Sequence, residues 1–388
     1  YWNPVVLNEM AQNMLNLVNQ GIDVIRIDAV PYIWKQLGTN CRNLPQVHTI
    51  VRIMRIICEI VCPGVLLLGE VVMEPDKVVP YFGSVEKPEC HMLYNVTTMA
   101  ATWNSVATKD IRLLRQQMNV VSSLPKDYVF LNYLRCHDDI GWGLDYPWLR
   151  QFGIDEVSHK KYLNDFLTGQ YPGSFGRGEL YNSDPESGDA RLCGTTASLC
   201  GIEKGAFEKD AEALEKAVRL DLMLHAYMLS QSGIPVIYSG DEIGQENDYT
   251  YHENPRKWDD SRYLHRGDFR WDREKKRSVK GSLQEKIFDG IKKLETIRAQ
   301  YPVFCTDAQV WTIDTWDDSI LGLVREYGEE KVIALFNFSE FDKVAWINEE
   351  DGMYTDLISG RAMEAKGVEI PAYGVYWLMR ENGIEENK

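Results

Sequence analysis

Four short apolar runs in this chain each close on acidic or histidine side chains, and helical segments separate them. The runs read as strands over residues 24–28, 65–70, about 128–135 and 234–239. At their ends stand Asp28, Glu70, His137 with Asp138, and Asp241 with Glu242. A weaker run spans 91–96. Residues 4–20 place Val6, Met10, Met14 and Leu17 at helical spacing, with Pro4 in the first turn and Gly21 past the end. Residues 45–61 and 105–118 read as further helices. Leu214, Val218, Leu222 and Ala226 mark another at i+4 steps, and 281–300 a last one. Strands that alternate with helices predict βα units and a parallel sheet.

Polar residues at strand ends decide what such a sheet can do. In a (β/α)8 barrel the chemistry sits where the C-terminal ends of the strands meet. A doubly wound sheet also binds ligands there, but no glycine-rich phosphate loop follows residues 24–28; "DAVPYIW" takes its place. The fold class expected is therefore α/β, a TIM barrel. Residues 1–142 and 209–302 form its catalytic part. Residues 143–208 are too long for an ordinary connection and read as an inserted subdomain. From 303 to 388, short β-type runs such as "KVIALFNFS" and "GVYWLMR" predict a separate antiparallel β-sandwich domain.

The net charge of −16 argues against nucleic acid or an anionic membrane surface as partner. No run of about 18 uncharged apolar residues is present, so no membrane span is expected. The eight cysteines lack the paired spacings of a metal knuckle, and no metal or cofactor is expected from them. They read as reduced thiols of a cytoplasmic protein.

The stretch "GIDVIRIDAV" sets Arg26 and Asp28 on one face of a buried strand. A nearby guanidinium keeps a carboxylate ionised and oriented, as a nucleophile requires; a structural ion pair would look the same in sequence. Glu70 follows "LLLG". Apolar surroundings would raise its pKa toward that of a general acid, although a solvated strand end is the commoner case. Asp138 beside His137 is a third candidate, against the plainer reading of a satisfied polar corner. Retaining glycosidases need a nucleophile and an acid/base about 5 Å apart. A third carboxylate would favour their cationic transition state.

These stretches resemble the α-amylase superfamily of glycoside hydrolases. The likeness is to its amylosucrase and sucrose-hydrolase group, through "IRIDAVPYIW", "LLGEV", "RCHDDIGWG", "GDARLCGT", "IPVIYSGDEIG" and "DDSRYLHR". The resemblance implies Asp28 as nucleophile, Glu70 as acid/base and Asp138 as transition-state stabiliser. Arg26 and His137 would hold the glucosyl unit. Asp139, Glu89 and Arg191 would line the fructose or acceptor side, and Arg266 the pocket floor. The substrates implied are sucrose and α-glucan acceptors, with no metal. The five strands would correspond to strands 4–8 of the barrel, so the chain reads as a partial barrel lacking its N-terminal part, including an aspartate expected to pair with Arg266. Alone, it is expected to be poorly stable and inactive.

Three rivals remain at this point. An α-amylase or oligo-α-glucosidase would act on starch-type glucans and not on sucrose. A non-catalytic relative would bind a partner, but such proteins lose the carboxylates retained here. Finally, Trp311, Trp316, Trp346 and Trp377 could stack on sugars, although aromatics more often pack cores.

Overall fold

The computed structural model describes residues 1–73, 75–348 and 352–380. The tail "ENGIEENK" lies outside the described residues. The chain divides into two compact units, 1–97 with 124–132, and 98–123 with 133–388.

In the first unit, helix α1 (Pro4–Asn19) begins on Asn3, whose side chain accepts from the Val5 N–H. Strands β1 (Val24–Ile27), β2 (Leu66–Gly69), β3 (Met92–Tyr94) and β4 (Val129–Asn132) follow in parallel, in that order across the sheet. Helix α2 (Pro45–Val61) connects β1 to β2. Its Ile50, Met54 and Cys58 pack with Met14 of α1 and with Ile25, Val65 and Leu67. All four strands stand where the apolar runs predicted them, each shorter by at least one residue.

The expected helix over 105–118 is two helices in the structure, α3 (Val96–Thr108) and α4 (Arg112–Ser122). Lys109 breaks them with a left-handed φ of 61°. The Asp110 carboxylate then accepts from the Arg112 N–H and starts the second helix. The Lys109 ammonium donates to the Val106 carbonyl at 2.6 Å and to the Tyr373 hydroxyl at 3.1 Å. It also lies over the rings of Phe166, Phe175 and Tyr373, at 5.3, 4.8 and 5.1 Å.

The rest of the second unit contains a small antiparallel sheet of β5 (Ile140–Gly141), β6 (Glu179–Tyr181) and β7 (Arg191–Cys193), with β7 in the middle. Helix α5 (Glu156–Leu167) lies between β5 and β6, and helices α6 (Ala211–Ser230) and α7 (Leu283–Gln300) come after β7. After strand β8 (Ile234–Pro235), six antiparallel strands between Gln309 and Arg380 make one sheet, and Lys343–Ala345 pairs with Val368–Ile370 as a second. One core joins Val324, Ile333 and Leu335 of the large sheet to Ala345, Val368 and Ile370 of the small one. Trp377 is fully buried and Trp311 packs against this core, whereas Trp316 and Trp346 are exposed. Arg325, in a strand of the large sheet and itself fully buried, donates to the carbonyls of Ser230, Val303 and Cys305. It thereby anchors the β region to the end of α6.

Candidate active site

In the first unit, β1 and β2 lie side by side, with Arg26 in register with Leu68 and Ile27 with Gly69. Two carboxylates therefore leave adjacent strand ends. Asp28 lies one residue past β1, and Ala29 turns the chain with a left-handed φ of 44°. That turn aims the Ala29 N–H at a Glu70 oxygen, 2.8 Å away. The Val30 N–H meets the Glu70 carbonyl at 3.1 Å, so the loop after β1 is pinned to the end of β2.

Arg26 binds both acids. One terminal nitrogen is 2.6 Å from Asp28 and the other 3.1 Å from Glu70. Its guanidinium also lies over the Tyr94 ring at 5.7 Å. Burial works against the Arg26 charge, but the bond to Asp28 and the field of Glu70 outweigh it and raise its pKa. The Glu70 surroundings include this arginine and a backbone N–H, where "LLLG" alone suggested an apolar wall. The Asp28 side chain is 76% exposed and that of Glu70 only 18%. Asp28 is thus open to a ligand, while Glu70 is largely shielded.

Glu89 is a correction to the sequence reading. It is 1% exposed, and its carboxylate meets His48 at 2.7 Å and Arg52 at 2.9 Å. A group so enclosed presents no oxygen to a sugar. It braces α2 against the segment before β3.

The second unit gathers the other candidates into one cluster. His137 Nε2 stands 3.1 Å from Asp138, and Arg266 is 3.1 Å from the other Asp138 oxygen. Arg266 therefore has a carboxylate partner in Asp138, which the sequence reading did not foresee. Its Nε also donates to the His137 carbonyl. Asp139 faces Arg191 at 4.0 Å. Burial pushes the Asp139 carboxyl up, and Arg191 partly offsets this. A Cβ on Gly141 would lie 1.7 Å from the Arg191 guanidinium, so only glycine lets that side chain lie where it does.

Two supports escaped the sequence reading. Arg262, in the quoted "DDSRYLHR", is held by Asp260 at 2.7 Å and reaches Asp138 at 4.0 Å. His265 accepts the Gly194 N–H at Nδ1 and donates from Nε2 to the His137 carbonyl at 3.3 Å. Burial, aided by Arg135, pulls His265 down to about 3, which keeps it neutral as these bonds require. Beneath it, the buried Arg135 and Asp241 pair at 2.7 Å. The aspartate-arginine-histidine order of "DDSRYLHR" was the signal available; what each would grip was not.

Residues 1–140 match the family described as alpha amylase, catalytic domain. The glucosylglycerate phosphorylase of Spirochaeta thermophila is 26% identical over 97% of this chain and 63% of its own length. That of Escherichia coli is 24% identical over 97% and 64%. The crystal structure of sucrose 6F-phosphate phosphorylase from Thermoanaerobacter thermosaccharolyticum superposes with a TM-score of 0.66 at 16% identity, covering 94% of this chain and 64% of that one.

The chain has the fold of the α-amylase family.

An α-amylase from Geobacillus thermoleovorans shares this α-amylase-family fold, with a TM-score of 0.60 at 15% identity over 98% of this chain. The chain spans less than two thirds of the length of the curated relatives named here. Neither of those relatives carries an amylosucrase name; both are phosphorylases. No described helix is long and apolar enough to cross a membrane.

Proposed function

We propose that this chain carries a retaining α-glucosyl-transfer centre acting on sucrose or a closely similar α-glucoside. The observation that carries the reading is the single Arg26 guanidinium gripping both Asp28 and Glu70. A shared fork keeps the two carboxylates near each other, as the short separation of double displacement requires. Asp28, exposed and oriented, attacks the anomeric carbon. Glu70, largely shielded from solvent, passes a proton to the departing fructosyl oxygen. Glu70 then takes a proton from the incoming acceptor, which releases the glucosyl unit with its α configuration kept.

Asp138 is the transition-state stabiliser in this reading, and Arg26 and His137 hold the glucosyl unit. Asp139 and Arg191 face the leaving group or acceptor, and Arg266 fixes Asp138. The acceptor is the 4-hydroxyl of an α-glucan, as in amylosucrase, or water. The names of the relatives favour a second reading in which inorganic phosphate is the acceptor.

The test is to offer sucrose with and without inorganic phosphate, and glucosylglycerate with phosphate. Excess fructose with glucan supports transfer, equimolar glucose and fructose hydrolysis, and α-glucose 1-phosphate phosphorolysis. Release of reducing sugar from starch with no fructose from sucrose would move the assignment to an amylase. The nucleophile is tested separately by trapping with a 5-fluoro-glucosyl fluoride, which should label the peptide carrying Asp28.

A further inference from the structure

Cys136, His137 and Asp138 are consecutive in the chain, yet their donor atoms converge within 4.8 Å of one another. Among the described residues no other three His, Cys, Asp or Glu donors meet this closely. Spacing rules built on recurring cysteine pairs do not see such a tripod.

The His137 Nε2 to Asp138 gap is 3.1 Å. Two ligands bound to tetrahedral zinc at about 2.0–2.1 Å stand roughly 3.3 Å apart, so this gap already has the width of a shared coordination edge. The Asp138 N–H donates to Cys136 Sγ at 3.4 Å, which favours the thiolate. Arg266 holds the far Asp138 oxygen and the His137 carbonyl, fixing two of the donors from behind. All three residues are partly exposed, so a hydrated ion can reach them.

We propose that Cys136, His137 and Asp138 form a site for a thiophilic divalent cation of the zinc class. A thiolate, an imidazole and one carboxylate select such ions over magnesium or calcium, which prefer all-oxygen shells. Binding releases the thiol proton and replaces the His137–Asp138 hydrogen bond with two metal bonds. The fourth position stays open to water. Arg266 at 3.1 Å and Arg262 at 4.0 Å put positive charge beside the site, which makes the ion exchangeable. Occupancy takes His137 and Asp138 away from any sugar. Cation binding is independent of the proposed function, and only the resulting inhibition rests on it.

The test uses cobalt(II) as a spectroscopic probe on the full 388-residue chain. The expected result is a thiolate-to-cobalt charge-transfer band that saturates at one equivalent and is displaced by zinc. Cys136→Ser abolishes the band, whereas Cys41→Ser and Cys305→Ser keep it. His137→Gln weakens cobalt affinity about tenfold or more while circular dichroism stays unchanged. No band, or a band that survives Cys136→Ser, overturns the proposal. If Cys136→Ser does not fold, the His137→Gln titration decides alone: unchanged affinity overturns it. Zinc that binds with this signature but leaves glucosyl transfer untouched keeps the site and rejects the functional reading.

Discussion

Arg26 reaches across from β1 to Glu70 at the end of β2, 3.1 Å away, while its other terminal nitrogen holds Asp28 at 2.6 Å. Only a planar fork can grip two acids in this manner. Arg26→Lys supplies a point charge and loses one of them. The rate of covalent labelling at Asp28 by the fluoro-sugar is expected to fall about 10-fold in Arg26→Lys and about 100-fold in Arg26→Met. The urea midpoint should move little, since the pair is partly exposed. Unchanged labelling in Arg26→Met would show that the fork is structural.

Glu70→Gln removes the proton donor of the proposed mechanism and keeps the shape. Turnover of an α-glucoside with a poor leaving group should drop about 10²–10⁴-fold. A nitrophenyl α-glucoside, whose leaving group needs little protonation, should lose much less in glycosylation. Equal losses on both substrates would remove Glu70 from the acid role.

Arg135 and Asp241 are both buried, 2.7 Å apart. Removing one partner strands a charge in the interior. Asp241→Ala should destabilise the chain by about 3–5 kcal/mol, and an apolar replacement of both partners should recover much of that loss. Urea unfolding of the single and double variants measures this directly.

Stability should peak near the ordinary histidine range. Burial, aided by Arg55, lowers His91 to about 4; burial, aided by Arg135, lowers His265 to about 3; burial also lowers His159. Each is neutral when folded but takes a proton when unfolded, so their contribution is lost as pH falls from about 6.5 toward 3. His225 behaves oppositely. Burial opposes its charge, but Asp221 and the bond to it prevail and raise it to about 9. Its contribution is complete below about 6.5 and is lost as pH rises toward 9. Lys109, lowered to about 8 by burial, acts only at the upper end of that window. Urea midpoints measured from pH 4 to 8 should therefore pass through a maximum, and His225→Gln should flatten the alkaline side. A midpoint rising steadily to pH 8 would contradict this.

The parallel strands and the Asp28–Glu70 pair were legible because both depend on local pattern: an apolar run, then a charge. Arg26 and Asp28 sit two residues apart, and Glu70 closes its own run. What the sequence hid is long-range or single-residue. The grip of Arg266 on Asp138 spans more than a hundred positions and has no periodicity. The break between α3 and α4 turns on the backbone of Lys109 alone. Strands β5, β6 and β7 have two or three residues each, too few to display alternation. Glu89 misled because a resemblance carries over the position of an acidic residue without saying whether it meets a sugar or plugs an interior.

The ammonium of Lys109 draws on a carbonyl of α3, on rings from the 143–208 segment and on a tyrosine near the C-terminal end of the described chain. A protein trimmed after residue 302 loses Tyr373 and, with it, one hydroxyl and one ring that make a sunken cation tolerable. It also loses Arg325, the rivet on the last turn of α6. The terminal β region is consequently no interchangeable module: swapping it for a foreign one should unseat a helix end 264 residues upstream of Tyr373.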